Sequence, residues 1–558
     1  VKVGNIFLTI LLLTCFWAIL GTVFVVSNYL GNGIVSGKYF WFYLSMGVYT
    51  FISGLFIIKH IKSVRVSLID CLILLFGIIT MFISYRINHS EAITRHILLV
   101  LIILFYFYSK LILRTLPSNL YWMVTGLLLT GFIEAYQGLR QLYGFDHSLH
   151  AQFKITGSFF NPGPYACYLS VILPVAFYYL LHDRICSKAR FRIRYWKIYL
   201  RWGVSVFTCI GAILVLPAAM SRTSWLAAIG GCGMVVFFYI FKNKKVKAFY
   251  DIHKKRFVGL FSLLAVLLVV GGMGMYHLKK DSADGRTLIW KNSMQTILHH
   301  PMGVGIGNFG GSYGDEQSAY FAAGKGSQQD EYVAGNPEYA FNEYLQICIE
   351  HGILPFILFL AIIGYSLYTG IRRKKIAPTA SLLALLIVCG MSYPFSVLPF
   401  LIVLAFVLAR IHSDEKGISL APPLTAGFTL VSLLVVLLCL YNRYPTYQAY
   451  KKWYTYTLYR SAGSPEVTSG YKKIYPLLAD QLSFLFEYAQ YLSKNEMYEE
   501  SNRVLEKAIR ISCDPMLHNV MGKNYQALQK YTEAEQCFQK SAHIVPNRIY
   551  PYYLMALL

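Results

Sequence analysis

Long apolar stretches separated by short polar segments make up the chain as far as about residue 441. A helix that spans a bilayer needs about 20 mostly apolar residues, and about thirteen stretches approach this length. They lie at residues 5–29, 39–58, 66–84, 96–113, 119–139, 164–182, 202–220, 222–241, 257–276, 347–370, 379–393, 396–410 and 420–441. The pattern predicts an all-α fold, a polytopic membrane helix bundle of about 12–13 transmembrane helices.

Basic residues cluster on alternate connections between these stretches. Residues 184–201, 242–256 and 372–375 are strongly basic, and an even number of predicted spans separates each from the next. Because cytoplasmic loops carry an excess of Lys and Arg, we expect these segments and the N-terminus on the cytoplasmic side of the membrane. The long polar connection 277–341 and the segment 442–558 then face the periplasm.

The segment after residue 441 has the pattern of paired amphipathic helices. Its stretch NVMGKNYQALQKYTEAEQCFQKSAHIVPN places small and large residues at the spacing of a tetratricopeptide repeat, at Gly522, Tyr525, Ala534, Phe538 and Pro546. Small residues let two antiparallel helices approach, and large ones fill the space between them. A weaker copy precedes it by about 33 residues. An unrelated pair of helical hairpins is the alternative interpretation.

These patterns predict two domains. Residues 1–441 would form the transmembrane bundle, including a large periplasmic loop at 277–341, and residues 442–558 an extracytoplasmic, helical, tetratricopeptide-like domain. A groove formed by such repeats is a typical docking surface, so a protein partner bound there is a hypothesis for this domain.

The composition agrees with a membrane protein. Of 558 residues, 56% are hydrophobic and only 14% are charged, and the mean hydropathy is +0.47, which is too apolar for an ordinary water-soluble globule. The net charge of +24 sits largely in short loops between apolar segments, so membrane orientation explains it and no nucleic-acid partner is expected. The 11 cysteines form no CxxC pair. We therefore expect neither a metal site nor a cofactor.

Two clusters of polar residues lie at predicted outer ends of spans. One combines EAYQGLRQLYG, which contains Arg140, with GSFFNPGPYACYL, in which Asn161 and two prolines form a rigid turn. That turn is as compatible with the start of a helix as with binding. The other is SRTSWLA, where Arg222 falls in a hairpin with almost no loop. A guanidinium suits phosphate oxygens, although an arginine at this depth can also extend to lipid headgroups.

Two further clusters border the long polar connection. In GRTLIWKNSMQTILHHPMGVGIGNF, Arg286 precedes a predicted short amphipathic helix, and His300 opens a glycine-rich turn. Trp290, Met294 and Ile297 are expected on one face of that helix. The turn does not follow a strand of a βαβ unit, so a nucleotide-binding loop is not expected. The last cluster, YAFNEYLQICIEHG, places Asn342 and Glu343 where the polar connection rejoins an apolar helix.

In this order, the four clusters resemble successive signatures of the O-antigen ligase and O-antigen polymerase superfamily, which includes bacterial protein O-oligosaccharyltransferases. The resemblance covers roughly residues 130–410. It implies a metal-independent, inverting enzyme of the bacterial inner membrane that moves a glycan from an undecaprenyl-diphosphate carrier to an acceptor hydroxyl at the periplasmic face. The acceptor is left open between the lipid A core, another carrier-linked repeat unit, and Ser or Thr of an exported protein.

Site residues carry over from the resemblance by motif position. Arg222 and Arg286 would contact the diphosphate and stabilise the charge that develops on it. The substrate-binding positions implied are Asn342, Asn161, Arg140 and His300. Where the ligase branch has a histidine before the matching asparagine, this chain has Phe341, which cannot accept a proton. Glu343 is the nearest replacement as a base, and a glutamate that merely favours a helix N-terminus is the alternative interpretation of this residue. Glu338, Asp315 and Glu316 are weaker candidates for the base, and a reaction without a protein base is a further alternative.

Two other function classes fit many spans and outward-facing cations. A lipid-glycan flippase would show repeated halves or broken helices with polar groups at mid-membrane, whereas the notable residues here lie at one outer edge. A non-catalytic membrane scaffold would explain Phe341. Both remain alternatives to the transferase.

Overall fold

The computed structural model describes residues 3–60, 64–186, 196–242, 252–253, 259, 280–459 and 465–558. Within these ranges the chain is helical apart from turns and two short strands. The helices before the long polar connection are α1 Val3–Leu20, α2 Gly33–His60, α3 Leu68–Phe82, α4 Ile93–Thr115, α5 Asn119–Leu142, α6 Pro162–Cys186, α7 Trp196–Ala218 and α8 Arg222–Lys242. Strand β1 is Arg65–Val66. A π-helical turn, Ile83–Ile87, continues α3, and a 3₁₀ turn, Gly21–Phe24, continues α1.

The remaining helices include the polar connection and the tail. They are α9 Lys280–His299, α10 Phe309–Ala322, α11 Gln328–Val333, α12 Glu343–His351, α13 Ile353–Arg372, α14 Ile376–Cys389, α15 Leu398–His412, α16 Pro422–Leu440, α17 Arg443–Tyr459, α18 Pro465–Leu478, α19 Leu482–Lys494, α20 Tyr498–Ile511, α21 Pro515–Ala527, α22 Tyr531–Ile544 and α23 Ile549–Ala556. A 3₁₀ turn, Pro394–Ser396, precedes α15. Strand β2, Ile418–Ser419, pairs antiparallel with β1, with Arg65 opposite Ser419.

Nine helical segments of the described residues are long and apolar enough to cross a membrane. They are Ile6–Phe24, Gly33–His60, Leu68–Ile87, Ile93–Thr115, Pro162–Asp183, Trp196–Ala218, Arg222–Ile240, Ile353–Arg372 and Pro422–Leu458. Each is long enough for a hydrocarbon core of about 30 Å. The prediction of an all-α, polytopic membrane bundle is confirmed.

Four predicted spans do not appear among these nine. The stretch at 119–139 lies in α5, whose polar residues near its C-terminal end lower its hydropathy. Those at 379–393 and 396–410 correspond to α14 and α15, which are apolar but shorter. The span predicted at 257–276 lies outside the described residues except for residue 259. Much of the basic segments 184–201 and 242–256 also lies outside them.

The chain divides into two compact units. Unit 1 comprises residues Val1–Thr80, Thr94–Val235 and Ile357–Thr455, and unit 2 comprises Met81–Ile93, Val236–Phe356 and Tyr456–Leu558. Within unit 1, α6 packs against α7 and α14, and α5 packs against α7. The Phe16 ring contacts the rings of Phe105 and Phe406 at centroid distances of 5.8 and 5.1 Å. These aromatic contacts form part of the apolar core of unit 1.

Unit 2 contains the polar connection together with the tail helices. Helix α10 packs against α20 and α22. A Cβ placed on Gly311 would lie 2.4 Å from the Arg510 carbonyl oxygen, so glycine permits this close approach. The Gln317 amide donates to the carbonyls of Gly335 and Ile544 at 2.8 and 2.6 Å. These contacts join the polar connection and the tail into one body.

The tail helices form antiparallel pairs, α19 with α20 and α21 with α22. Gly522 lies directly against the Phe538 ring, where an added Cβ would come within 2.4 Å of a ring carbon. A small residue on one helix therefore receives a large residue from the other. The assignment of this region as a tetratricopeptide repeat stays a prediction, and so do the domain limits at 441 and 442.

Candidate functional site

The first part of the site is a corner of unit 2 formed by α9 and the start of α12, which pack against each other. The Arg286 guanidinium lies over the ring of Phe341, 5.3 Å from its centroid. This is within the range of a cation–π interaction. Arg286 lies inside α9 rather than before it, because the helix begins six residues earlier, at Lys280. The prediction that it precedes the helix is wrong in this detail.

The buried face of α9 also differs from the prediction. Leu288, Asn292, Thr296 and Ile297 are buried, whereas Met294 is 47% exposed. Leu288, Asn292 and Thr296 follow one another at four-residue spacing and so share one face of the helix. Met294 falls between them on the open side. Small and polar residues fill part of this face, so hydrophobicity alone does not identify it.

Phe341 adopts a left-handed backbone conformation, with φ of +50°. This conformation is unfavourable for a bulky side chain and persists where the surroundings fix it. The residue before it, Ala340, is held on both sides: its N–H donates to Gln346 Oε1 at 2.8 Å and its carbonyl accepts from Trp290 Nε1 at 3.0 Å. These two bonds, to α9 and to α12, set the direction in which the Phe341 ring points.

Asn342 and Glu343 start α12. The Asn342 side-chain oxygen accepts from the N–H groups of Tyr344 and Leu345 at 3.0 and 3.4 Å, which caps the helix. Glu343 is the first helical residue and is 2% exposed. The helix dipole favours a carboxylate at this position. The Asn342 oxygen is therefore engaged in the helix cap.

The glycine-rich turn after α9 packs against the C-terminal end of α12. The N–H groups of Val304 and Gly305 donate to the carbonyls of Ile349 and Glu350 at 2.8 and 3.0 Å. They satisfy carbonyls that the end of a helix leaves without partners. The backbone N–H of Gly303 donates to the His300 carbonyl at 2.8 Å, while the His300 side chain is exposed. His300 thus belongs to the turn, and two turn amides are already occupied by α12.

Arg222 lies in unit 1, at the first position of α8, and only three residues separate it from the end of α7. The tight hairpin predicted from SRTSWLA is confirmed. Trp225 Nε1 donates to the Leu216 carbonyl at 2.9 Å, and Ser224 Oγ donates to the Ser221 carbonyl at 2.7 Å. These bonds hold the turn, and Arg222 stands partly buried beside the amino end of a helix, a position suited to anions.

Arg140 and Asn161 are engaged locally within unit 1. Arg140 donates through Nε and Nη2 to the two carboxylate oxygens of Asp146, at 2.6 and 2.9 Å. This bidentate hydrogen bonding lowers the pKa of Asp146. Asn161 Oδ1 accepts from the Gly163 N–H at 2.9 Å and starts α6. Both residues organise turns, which is the structural alternative stated above for the Asn161 motif.

Two buried polar side chains of the EAYQGLRQLYG motif, Glu134 and Gln141, anchor the GSFF segment in unit 1. The fully buried Glu134 carboxylate accepts from the Ser158 N–H at 3.1 Å, and its Oε1 lies 2.5 Å from Ser158 Oγ. Gln141 Oε1 accepts from the N–H groups of Thr156 and Gly157 at 2.9 and 2.8 Å. The segment before Asn161 is therefore fixed from α5.

Lys38 is a residue that the sequence reasoning missed. It is buried in α2, and its Nζ donates to the carbonyls of Val23 and Val25, the latter at 3.1 Å. Its ammonium also lies 5.7 Å from the centroid of the Phe159 ring. A lone lysine within an apolar span is a sequence signal for a buried polar contact.

The candidate residues thus divide between the two units. Unit 2 holds Arg286, His300, Asn342 and Glu343, and unit 1 holds Arg140, Asn161 and Arg222. In the part of the chain that the structure describes, no group of three or more His, Cys, Asp or Glu residues is placed to hold a metal ion.

A family model described as O-antigen ligase matches residues 207–360. This chain carries an O-antigen ligase domain. The resemblance to the O-antigen ligase superfamily is confirmed over this segment, which contains Arg222, Arg286 and the start of α12 but neither Arg140 nor Asn161. No curated protein matches the chain.

With its apolar spanning helices, the protein is a multi-pass membrane protein with a domain of the glycosyltransferase type. The family implies a polyprenyl-linked glycan donor.

Proposed function

We propose that this protein transfers a glycan from an undecaprenyl-diphosphate carrier to an acceptor hydroxyl, at the periplasmic face of a bacterial inner membrane. The N-terminus would be cytoplasmic and the segment 442–558 periplasmic. The observation that carries the proposal is the placement of Arg286 over Phe341, next to the start of α12, inside the segment that matches the O-antigen ligase family.

The reaction requires two kinds of group. The acceptor oxygen attacks the anomeric carbon of the glycan, and the bond from that carbon to the diphosphate oxygen breaks with its electron pair. The configuration at the carbon inverts, and the acceptor proton passes to a base. Negative charge grows on the leaving undecaprenyl diphosphate, so cations there lower the barrier. We assign this task to Arg286 and Arg222 and need no metal for it.

In this proposal Phe341 positions the Arg286 guanidinium for charge stabilisation. The ring attracts the guanidinium, whose central carbon lies 5.3 Å from the ring centroid, and holds its positive charge near the start of α12. A histidine at this position would supply a proton acceptor, whereas phenylalanine supplies only the aromatic face. The base is then another group, and we assign it to Glu343, two residues further along the chain and buried at the start of α12.

The other carried-over residues bind or frame the substrate in this proposal. Asn342 uses its amide nitrogen, because its oxygen caps α12. Asn161 and Arg140 lie on turns of unit 1, and Arg140 reaches a substrate phosphate only by leaving Asp146. His300 is exposed and contributes through the turn that it opens. Membrane lipids surround the donor tail, and the tail domain offers a surface for a protein partner.

The identity of the acceptor distinguishes three kinds of enzyme within this proposal. A ligase proper uses the lipid A core, a protein O-oligosaccharyltransferase uses Ser or Thr, and a polymerase uses another carrier-linked unit. The large helical tail joined to the polar connection favours a protein acceptor or partner.

A second candidate function is a non-catalytic membrane scaffold. Phe341 favours it, because the residue that takes the proton in the ligase branch is absent. The scaffold predicts that Arg286 and Glu343 can be neutralised without loss of function.

Complementation in the source bacterium tests the proposal. A deletion strain receives the wild-type gene or a variant with Arg222→Gln, Arg286→Gln or Glu343→Gln, and envelope glycolipids and glycoproteins are compared. Lys291→Gln is the matched control, since Lys291 lies on the same helix as Arg286 but is exposed and donates to the Tyr320 hydroxyl at 2.8 Å. We expect loss of one class of glycan product with the two arginine variants and with Glu343→Gln but not with Lys291→Gln, and the class identifies the acceptor. Normal products from both arginine variants would overturn the proposal.

A further inference from the structure

A cavity of about 280 Å³ lies within unit 1, at the end of the bundle predicted to face the cytoplasm. It is bordered by α5, α6, the end of α15 and the turn that joins α13 to α14. None of the residues assigned above to glycan transfer lines it.

The polar side of this cavity is strongly cationic. Arg373, Lys374, Lys375 and Arg410 line it, with Asp414 as the only acidic residue among the lining positions. Lys375 Nζ lies 2.6 Å from one Asp414 carboxylate oxygen, and Arg410 Nη1 lies 3.7 Å from the same oxygen. One carboxylate therefore faces four cations, which leaves an excess of positive charge.

The lowered pKa of the buried Lys375 is consistent with this excess of positive charge. The Lys375 side chain is 7% exposed, and burial lowers its pKa to about 8 even though Asp414 bonds to it. Arg410 adds repulsion to the same group. A second anion beside Lys375 would favour the charged ammonium.

The amino end of α14 adds a second feature suited to an anion. Ile376, Ala377 and Pro378, the first residues of this 14-residue helix, line the cavity. No side chain caps the helix there. This uncapped amino end, with the positive end of the helix dipole, therefore lies at the wall of the same cavity as the cations.

The opposite side of the cavity is apolar and aromatic. Leu127, Val175 and Phe406 line it between the helices, and Tyr178 and Tyr179 stand at its edge. A basic pocket at the ends of transmembrane helices, continued by apolar side chains, is the arrangement that binds acidic lipid headgroups on the cytoplasmic side of membranes.

We propose that this cavity is a phosphate-binding site, in which Arg373, Lys374 and the first amides of α14 hold the phosphate of an anionic ligand. Lys375 adds buried positive charge beside them, while its Nζ donates to Asp414, the Arg410 carbonyl and Ser413 Oγ. Two sources carry this chemistry: the headgroup of an anionic phospholipid of the inner leaflet, and a soluble phosphate compound. The apolar wall favours the lipid. The proposal is independent of glycan transfer, since it uses other residues.

The test compares two double variants of the full chain purified in detergent. Arg373→Gln with Lys374→Gln removes two cations that line the cavity. Arg372→Gln with Lys416→Gln removes two exposed cations that do not line it, one at the end of α13 and one in the connection after α15. Native mass spectrometry measures binding of added phosphatidylglycerol, with phosphatidylcholine as the neutral lipid, and a parallel titration uses inorganic phosphate.

We expect wild type and the control variant to bind phosphatidylglycerol more tightly than phosphatidylcholine, and the cavity variant to lose about 30-fold in phosphatidylglycerol affinity. Binding of inorganic phosphate that is lost only in the cavity variant, without a preference among lipids, would support the site and identify a soluble ligand. Equal affinities of both double variants for both probes would overturn the proposal.

Discussion

The Arg286 guanidinium lies 5.3 Å from the centre of the Phe341 ring, although 55 positions separate the two residues along the chain. The contact joins α9 to the turn before α12. Ala340, beside Phe341, is bonded to Trp290 of α9 and to Gln346 of α12. The aromatic ring is therefore held in place from two helices, and it restricts where the guanidinium can lie.

Phe341→Leu should weaken glycan transfer while the protein still folds. Leucine keeps an apolar side chain but has no π face for Arg286, and a cation–π interaction contributes about 0.5–2 kcal/mol. We expect a fall of about 3- to 30-fold in kcat/KM, measured with a carrier-linked glycan as donor. Phe341→Trp retains a π face and should preserve more of the activity. Equal activity of the leucine and tryptophan variants at the wild-type level would show that the ring does not position Arg286.

Glu343→Gln should lower kcat and leave KM for the donor nearly unchanged. Glutamine is close in size to glutamate and keeps the packing at the start of α12, but it cannot take the acceptor proton. General base catalysis contributes about 10²- to 10⁴-fold, so a loss in this range is expected. Steady-state kinetics on the reconstituted protein measures it. Turnover by Glu343→Gln at the wild-type rate would exclude this residue as the base.

Gly311→Ala should loosen the contact between the polar connection and the tail. Its Cβ would meet the Arg510 carbonyl at 2.4 Å, and backbone atoms there cannot move aside cheaply. Overpacking of this kind costs about 1–3 kcal/mol. Hydrogen exchange should become faster in both α10 and α20. The control is Gly335→Ala, because no heavy atom lies within 4 Å of a Cβ at Gly335. Equal exchange in the two variants would contradict the close approach.

His518 should make unit 2 less stable in acid. It is buried in α21, and burial lowers its pKa to about 4 from an ordinary value of about 6.5. Between these values the unfolded chain binds a proton that the folded chain does not, so stability falls as the pH drops from about 6.5 toward 4. Hydrogen exchange of α21 across this pH range measures the effect.

The matched change for this prediction is His518→Phe, which keeps a ring but removes the titrating group. Its exchange in α21 should depend less on pH than that of wild type over the same range. An unchanged pH dependence in this variant would assign the acid sensitivity to other groups.

The sequence was sufficient for features that local patterns determine. Apolar stretches of bilayer length predicted the membrane bundle, and the absence of a loop before SRTSWLA predicted the hairpin at Arg222. The ordered motifs predicted the family, whose model matches residues 207–360. Each of these signals lies within a short window of the chain or in the order of such windows.

Features that depend on long-range packing were not predicted. The polar face of α9 includes Asn292 and Thr296, which no hydrophobic pattern selects, and the helix begins at Lys280 in a polar stretch. The backbone N–H groups of the glycine turn donate to carbonyls at the end of α12. The paired residues are about 45 positions apart in the chain, so no local sequence pattern predicts these bonds. No local pattern predicted that Gly311 permits α10 to meet the tail.

Donor turnover by the purified chain tests directly whether Arg286 and Arg222 act on the carrier diphosphate. Wild type, Arg286→Gln, Arg222→Gln and the control Lys291→Gln are reconstituted in liposomes with an undecaprenyl-diphosphate-linked glycan and a mixture of acceptors, without added divalent metal. Release of undecaprenyl diphosphate is then followed. We predict release by wild type and Lys291→Gln, and a loss of about 10²- to 10³-fold in each arginine variant. Release at the wild-type rate by Arg286→Gln, or no release by wild type with any acceptor, would contradict the account.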